Sequence, residues 1–349
     1  MHRNAKHGGC LMRHPAAAPV TRRTALHSLL LPGLAALGGP GCAPAPGQPL
    51  RIGAQPWLGY ELMFLARDRQ HVSADLVRLI DLPTASASLR ALSAGTLEGA
   101  GLTLDEVLSA RARGLALRVV AVIDVSNGAD VLLGSRAVGT LAALKGRRIG
   151  VDQSTTGAVM LDAALTRAGL TPADVRLVPL AINEQAQAWQ NAQVDALVTY
   201  EPLSSQLRAQ GAQVLFSSAD VPGLIIDVLA VRADVLPAHA TALRALVAGL
   251  FRAQADWLRD PAAAAPLLAP RLRLPPAEVV QAFKLIDLPD LAANRRWLAG
   301  EHPALHPSAV RLAALMQRAA LLPPDSAASA AGSDTAADPL ADPQFLPLS

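Results

Sequence analysis

The chain has 349 residues, 51% hydrophobic and 17% charged, so it can bury the cores of two domains and is too apolar for a disordered chain. Its formal charge of +3 is unevenly placed: Arg3, Lys6, Arg13, Arg22 and Arg23 fall within residues 1–41, which hold no Asp or Glu. Setting those five aside from the 31 basic residues leaves 26 against 28 acidic, a net of −2, which excludes a nucleic-acid footprint.

Arg22 and Arg23 precede a short apolar run from Ala25 to Gly39, the order of parts in a secretory signal. The run is too short and too broken by Pro and Gly for a transmembrane helix. Thr21–Leu26 resembles a twin-arginine signal, with Ala25 where a bulky residue is preferred. Gly39-Pro40-Gly41-Cys42 resembles a bacterial lipoprotein cleavage box, departing from it at Gly39 and Pro40. Cys42 is therefore the expected lipidated residue, with plain cleavage and release as the alternative. Met12 is an alternative start, since residues 1–11 add nothing that a signal peptide needs. Cys10 and Cys42 are the only cysteines, so a chain cut before Cys42 keeps one thiol and no internal disulfide. The expected divisions are 1–41 signal, 42–49 Pro-rich tether, 50–135 first lobe, 136–225 second lobe, 226–324 return to the first lobe, and 325–349 low-complexity loop and tail. The expected location is outside the cytoplasm, periplasmic or lipid-anchored at the cell membrane.

From Leu50 the pattern alternates. Strands are expected at Leu50–Gln55, Asp75–Leu82, Leu97–Leu102 and Leu117–Ile123, with helices at Leu62–Gln70, Ala85–Ala94 and Leu104–Gly114 between them. Arg136–Arg147 reads as an amphipathic connector. In Ile149–Pro202 a short strand, a Ser/Thr-rich turn, a helix closed by Gly169 and two more strands follow, the last ending at Tyr200-Glu201-Pro202. Ile225–Val231 reads as a strand returning to the first lobe. Helices are expected at Ala238–Arg259, Pro261–Leu268, Pro276–Lys284 and Ser308–Leu321. Strands alternating with helices predict βαβ units and parallel sheets, whose ligands sit beyond the carboxyl ends of the strands. An internal echo points to two related lobes: Ser93–Ala100 and Gln190–Leu197 each end a helix and open a strand, placing Glu98 against Asp195 and Thr103 against Tyr200.

QPWLGYELMFLA at 55–66, SAGTLEGAGLTLDE at 93–106 and the 149–202 segment resemble the nitrate/sulfonate/taurine-type substrate-binding proteins of ABC importers, a group that includes pyrimidine-precursor binders. The resemblance implies an α/β, type II periplasmic-binding fold: two α/β lobes, a ligand cleft and two hinge crossovers. It implies a small solute ligand, a partner permease in the inner membrane, and no cofactor. The chain is read as a monomer that meets the membrane surface through its lipid.

Trp57 and Tyr60, in the first strand-to-helix loop, form an apolar wall of the cleft or pack the lobe surface. Thr103 is a ligand donor or, with Asp105, a helix cap. Ser126 and Asn127 are pocket candidates beside the first crossover, where Asp130 is expected to hold hydrogen bonds. Thr155 and Thr156, at a helix start, bind an anion or carbonyl oxygen, or simply cap the helix. At least one of Tyr200 and Glu201 is expected to face the cleft. Asp227 is a hinge hydrogen-bonder or an ammonium partner. The acids, with no Arg or Lys at a strand end, favour a nitrogen-bearing neutral or cationic solute over a bare oxyanion. An enzyme on the same fold is disfavoured: His71, His239, His302 and His306 show no metal-ligand spacing beyond a Pro-flanked pair, and no nucleophile motif appears. A sensory protein presenting the closed lobes to a receptor is the remaining alternative.

Overall fold

A computed structural model describes residues 47–152, 154–332 and 338–348. The expected export signal, Cys42 and residues 42–46 of the expected tether lie outside the described residues.

The first lobe begins as the alternation predicts. β1 (Leu50–Ala54), α1 (Glu61–Asp68), β2 (Val77–Asp81), α2 (Ala85–Ser93), β3 (Gly99–Thr103), α3 (Leu104–Ala112) and β4 (Leu117–Ser126) follow in order. Leu50, Ile52, Leu102 and Val119 are fully buried in its core, each such side chain contributing roughly 1.5–3 kcal/mol.

The chain then crosses to a second sheet at residues 127–129. β5 (Asp130–Gly134), which the sequence placed with the first lobe, pairs instead with strands of the second. The expected connector at 136–147 holds a single 3-10 turn at Leu141–Leu144. β6 (Arg148–Val151), α4 (Thr155–Ala168), β7 (Arg176–Pro179), α5 (Ile182–Gln190), β8 (Ala196–Tyr200), α6 (Leu203–Ala209) and β9 (Gln213–Ser217) complete this lobe. Gly169 ends α4 at φ +68°, a left-handed cap that glycine adopts without strain.

After a second crossing at 218–225, β10 (Ile226–Arg232) returns to the first sheet. The remainder comprises α7 (Ala240–Arg259), α8 (Pro261–Leu272), α9 (Pro276–Ala282), β11 (Ile286–Asp287), α10 (Leu291–Leu298), α11 (Leu305–Arg318) and α12 (Ala327–Ala331).

The sheets are mixed, which corrects the expectation of purely parallel ones. The orders are β11-β4-β10-β3-β1-β2 and β7-β6-β8-β5-β9. β10 runs antiparallel to both β3 and β4, and β5 antiparallel to both β8 and β9. In each case the strand that enters from the other lobe arrives without a crossover helix, so it has no means of running parallel.

The sequence echo is structural. Arg51 donates its backbone N–H to Glu98 (2.7 Å) and forms a salt bridge with it. Arg148 does the same with Asp195 (2.9 Å). Gly53 lies opposite Ala100 in the first sheet and Gly150 opposite Leu197 in the second. Both turns before the second strand of the pair carry a positive φ, at Gly95 (+69°) and Ala192 (+51°).

Two C-terminal features escaped the pattern. α10 is capped by Asp290, and its Asn294 side chain accepts from Val122 N–H (2.7 Å) and donates to Val122 C=O (3.0 Å), satisfying the backbone of β4. The stretch expected as a low-complexity loop carries α12, where Ala330 and Ala331 are buried. Arg111 holds it, donating to Ala330 C=O (2.8 Å) and pairing with Asp338 (2.7 Å). Phe345 then docks back into the core. No helix of the described residues is long and apolar enough to cross a membrane.

Candidate functional site

Strand ends of both sheets meet at a small cavity of about 30 Å³. Its walls come in pairs from equivalent places in the two lobes. Gln55 and Asp152 directly follow β1 and β6; Trp57 and Ser154 stand two residues further on; Thr103 and Tyr200 end β3 and β8. Thr84 and Ser86 at the start of α2, Glu106 in α3, Asp130 at the start of β5, Thr156 in α4 and Asp227 in β10 complete the polar lining.

Close backbone approaches shape this region. A Cβ on Gly101 would lie 2.8 Å from the Tyr60 ring, and one on Gly59 would lie 1.8 Å from Asp124 Oδ2. Glycine at these positions lets the 55–60 loop lie flat on the sheet. Trp57 Nε1 then donates to Asp124 Oδ2 (3.0 Å), and the Tyr60 hydroxyl donates to Asp227 Oδ1. The Trp57 indole meets Tyr200 across the cleft edge-on, with ring centroids 5.9 Å apart.

A second set of contacts joins the lobes. Thr156 Oγ1, in the second lobe, donates to Asp105 Oδ2 (2.9 Å) and lies 2.9 Å from Thr103 Oγ1, both in the first. These bonds hold the two lobes closed on the cavity. The α4 start is served by the protein itself: Ser154 accepts from Gly157 N–H (3.2 Å) and Asp152 accepts from Ser154 N–H (3.0 Å).

The electrostatics are one-sided. Glu106, Asp130, Asp152 and Asp227 line the cavity, with Asp105 and Asp124 buried behind it, and no Lys or Arg is among the lining residues. Burial, the largest influence throughout, pushes Glu106 and Asp124 up to about 8 and Asp130 up to about 7. It also raises Asp105, against the pull of the Thr155, Thr156 and Thr103 hydroxyls. Asp227 is raised by burial and by Asp124, its cross-strand neighbour. Several acids so close together cannot all ionise without a cation.

Five of the ten ligand candidates line the cavity: Trp57, Thr103, Thr156, Tyr200 and Asp227. The other five lie elsewhere. Tyr60 is fully buried beneath the cavity and holds Asp227 in place. Ser126 Oγ lies 2.7 Å from Ser218 Oγ and accepts from Asp130 N–H (3.2 Å), fastening the two crossings together. Ser126 and Asp130 thus exchange the roles expected of them, since the Asp130 side chain faces the cavity. Asn127 sits on the surface and donates to Asp287 (3.3 Å). Thr155 opens α4, half-buried, outside the lining. Glu201 is buried and accepts from Ser205 N–H (3.2 Å) and Ser205 Oγ (3.0 Å). It lies in the turn just past the end of β8, where its bonds to the start of α6 hold it away from the cavity. Gln55, Thr84, Ser86, Glu106, Asp152 and Ser154 were missed. Applying the Thr103–Tyr200 offset to Gln55 and Trp57 points to Asp152 and Ser154, so the echo held that signal.

Two α/β lobes with mixed sheets, joined by two crossings around a cavity at the strand ends, have the architecture of periplasmic binding proteins. A Candida albicans gene product described as having the generic periplasmic binding protein fold matches at TM-score 0.62 and 15% identity, over 80% of this chain and 93% of its own. The alkanesulfonate-binding protein SsuA from Xanthomonas axonopodis pv. citri, bound to MOPS, matches at TM-score 0.68 and 22% identity, covering 80% and 96%. The chain belongs to the NMT1-like family, whose model matches residues 43–270. The taurine-binding periplasmic protein of Escherichia coli (strain K12) is 25% identical over 176 residues, 50% of this chain and 55% of that protein. The chain therefore spans about half the length of the curated relative it matches. The named relatives with an assigned ligand are binding proteins rather than enzymes.

Proposed function

We propose that this protein captures a small nitrogen- or sulfur-containing solute between its lobes and delivers it to the permease of an ABC importer. The observation that carries this reading is the cavity built from equivalent strand ends of both lobes and latched by Thr156 to Thr103 and Asp105. A latch of two hydrogen bonds is weak enough to open and close, and closure around solute gives the permease a shape to read.

A thermal-shift screen of residues 43–349 against taurine, ethanesulfonate, nitrate and small amines tests capture directly. A ligand present at about 100 times its Kd stabilises the protein by roughly 2.7 kcal/mol. Thr156→Val is expected to weaken that ligand about 10-fold, because two hydrogen bonds of the closed form are lost. Unchanged affinity in Thr156→Val would remove the latch from the mechanism.

Anchoring through Cys42 belongs to the same reading. Cys42→Ser is expected to move the protein from the membrane fraction to the soluble exported fraction, with loss of incorporated labelled fatty acid. A membrane-bound Cys42→Ser protein would show that lipid on this residue is not the anchor.

A further inference from the structure

Resting on that reading, we propose that the cleft takes a small organic cation, an ammonium or amidinium group on a flat or aliphatic body, held by Asp227 and Asp130 against the Trp57 and Tyr200 rings. This class is opposite in charge to a bare sulfonate or nitrate.

Three independent observations converge on it. First, the cavity wall holds four acids and no basic side chain. Second, Asp130 Oδ2 has no hydrogen-bond partner although Asp130 is 4% exposed, and Asp227 Oδ2, in a residue 1% exposed, has only the acid Asp124 beside it; both residues line the cavity. Buried polar atoms are nearly always bonded, so each lacks the donor that an N–H-bearing cation would supply. Third, Trp57 and Tyr200, meeting edge to face at 5.9 Å, bring one π system from each lobe to the cavity, an environment that attracts cations. An incoming sulfonate would meet buried carboxylates here, since Arg271 and Arg273 line only the adjoining part of the cleft and Arg271 is already paired with Glu61 and Asp81. A metal ion fits less well, because among the described residues no group of three or more His, Cys, Asp or Glu is placed to hold one.

The groups facing Asp227 are Tyr60, Asp124, Asp130 and Glu106, all acidic or neutral. Asp124 and Glu106, raised by burial to about 8, and Asp130, raised to about 7, release protons when a cation enters. Affinity for a permanent cation therefore increases as pH rises between about 6 and 8.

Titration calorimetry with two charge-matched sets tests this: benzamidinium, benzamide and benzoate; propylammonium, propanol and propanesulfonate. Taurine serves as a further probe. Wild type is compared with Asp227→Asn and with Asp130→Asn, each of which keeps one acceptor oxygen. The cationic member of at least one set is expected to bind at least ~10-fold tighter than its neutral and anionic counterparts. That affinity is expected to rise from about pH 6 to 8 and to drop at least ~10-fold in either variant that retains a cooperative melt. Preference for benzoate or propanesulfonate, or taurine binding that survives both substitutions, overturns the cation site and leaves solute capture standing. Silence from all seven compounds overturns both.

Discussion

The melting temperature of the ligand-free protein is expected to fall by at least about 5 °C between roughly pH 5 and pH 8, the reverse of an ordinary acid-sensitive globule. The cause is the set of acids at the cleft. Burial raises Glu106 and Asp124 to about 8 and Asp130 to about 7, and raises Asp105 and Asp227 as well. In the unfolded chain these groups titrate near 4. Between the two ranges the folded protein binds more protons than the unfolded one, so stability decreases as pH rises. It is fully present below the ordinary carboxylate range and lost as pH climbs through the folded values of 7 to 8. Exposed pairs such as Asp195 with Arg148 and Asp234 with Arg232 act the other way, but only in acid, where their depressed carboxylates protonate. Asp124→Asn keeps an acceptor for Trp57 Nε1 and removes one charge. It is expected to flatten the pH curve and to melt higher than wild type at pH 8. Melting curves that are flat or rising from pH 5 to 8 in wild type would show that the acids are solvated or internally paired.

Arg271→Ala is expected to cost roughly 3–5 kcal/mol near pH 8 and distinctly less near pH 6. Arg271, in the last turn of α8, donates through Nε to both oxygens of Glu61 (3.0 and 2.9 Å) and pairs with Asp81 at the end of β2 (2.7 Å). Its guanidinium lies 3.6 Å from the centroid of the Phe64 ring. The Glu61 side chain has no solvent exposure, and burial lifts its carboxyl to about 7 even with Arg271 beside it. Removing the guanidinium leaves a buried carboxylate without a cation, a large penalty at pH 8. Near pH 6 the same carboxyl can take a proton, and the penalty shrinks. Adding Glu61→Gln to Arg271→Ala should restore much of the loss at pH 8. Denaturant unfolding at the two pH values separates the effects. An equal loss at both would mean that packing on Phe64, rather than the ion pair, is what Arg271 contributes.

Much of this molecule could be read from local pattern, and the failures have identifiable causes. The core-forming strands and helices of residues 50–125 sit within a few residues of their expected bounds, because each buries one periodic face. β5 was assigned to the wrong lobe because Asp130–Gly134 follows β4 after three residues, and nothing local says that the partner strand lies 66 residues ahead at β8. α8 runs on to Leu272 through Pro266 and Pro270, past its expected end at Leu268, because Ala264, Leu268 and Leu272 are buried on one face. α10 and α12 are short and weakly patterned, and they form where Asn294 satisfies β4 and Arg111 grips Ala330. Tertiary contacts outweigh propensity in such segments.

Local pattern was enough for the α/β class and the two related lobes, since hydrophobic periodicity and the echo of Glu98 in Asp195 repeat along the chain, and the motifs at 55–66, 93–106 and 149–202 carried the family resemblance. It also placed Trp57, Thr103, Thr156, Tyr200 and Asp227 at strand ends or in the loops and helix starts beside them. Which polar residues share a cavity was settled by the packing of the two lobes. That depends on side-chain direction: Tyr200 ends β8 and lines the cavity, whereas Glu201, one residue past the strand, turns to Ser205. It also depends on approach between distant backbones, as where Gly59 lets Asp124 come close and Thr156 reaches Asp105. Charges spread over more than 120 residues become a single acidic chamber when two sheets close on it, and no window of sequence contains that sum.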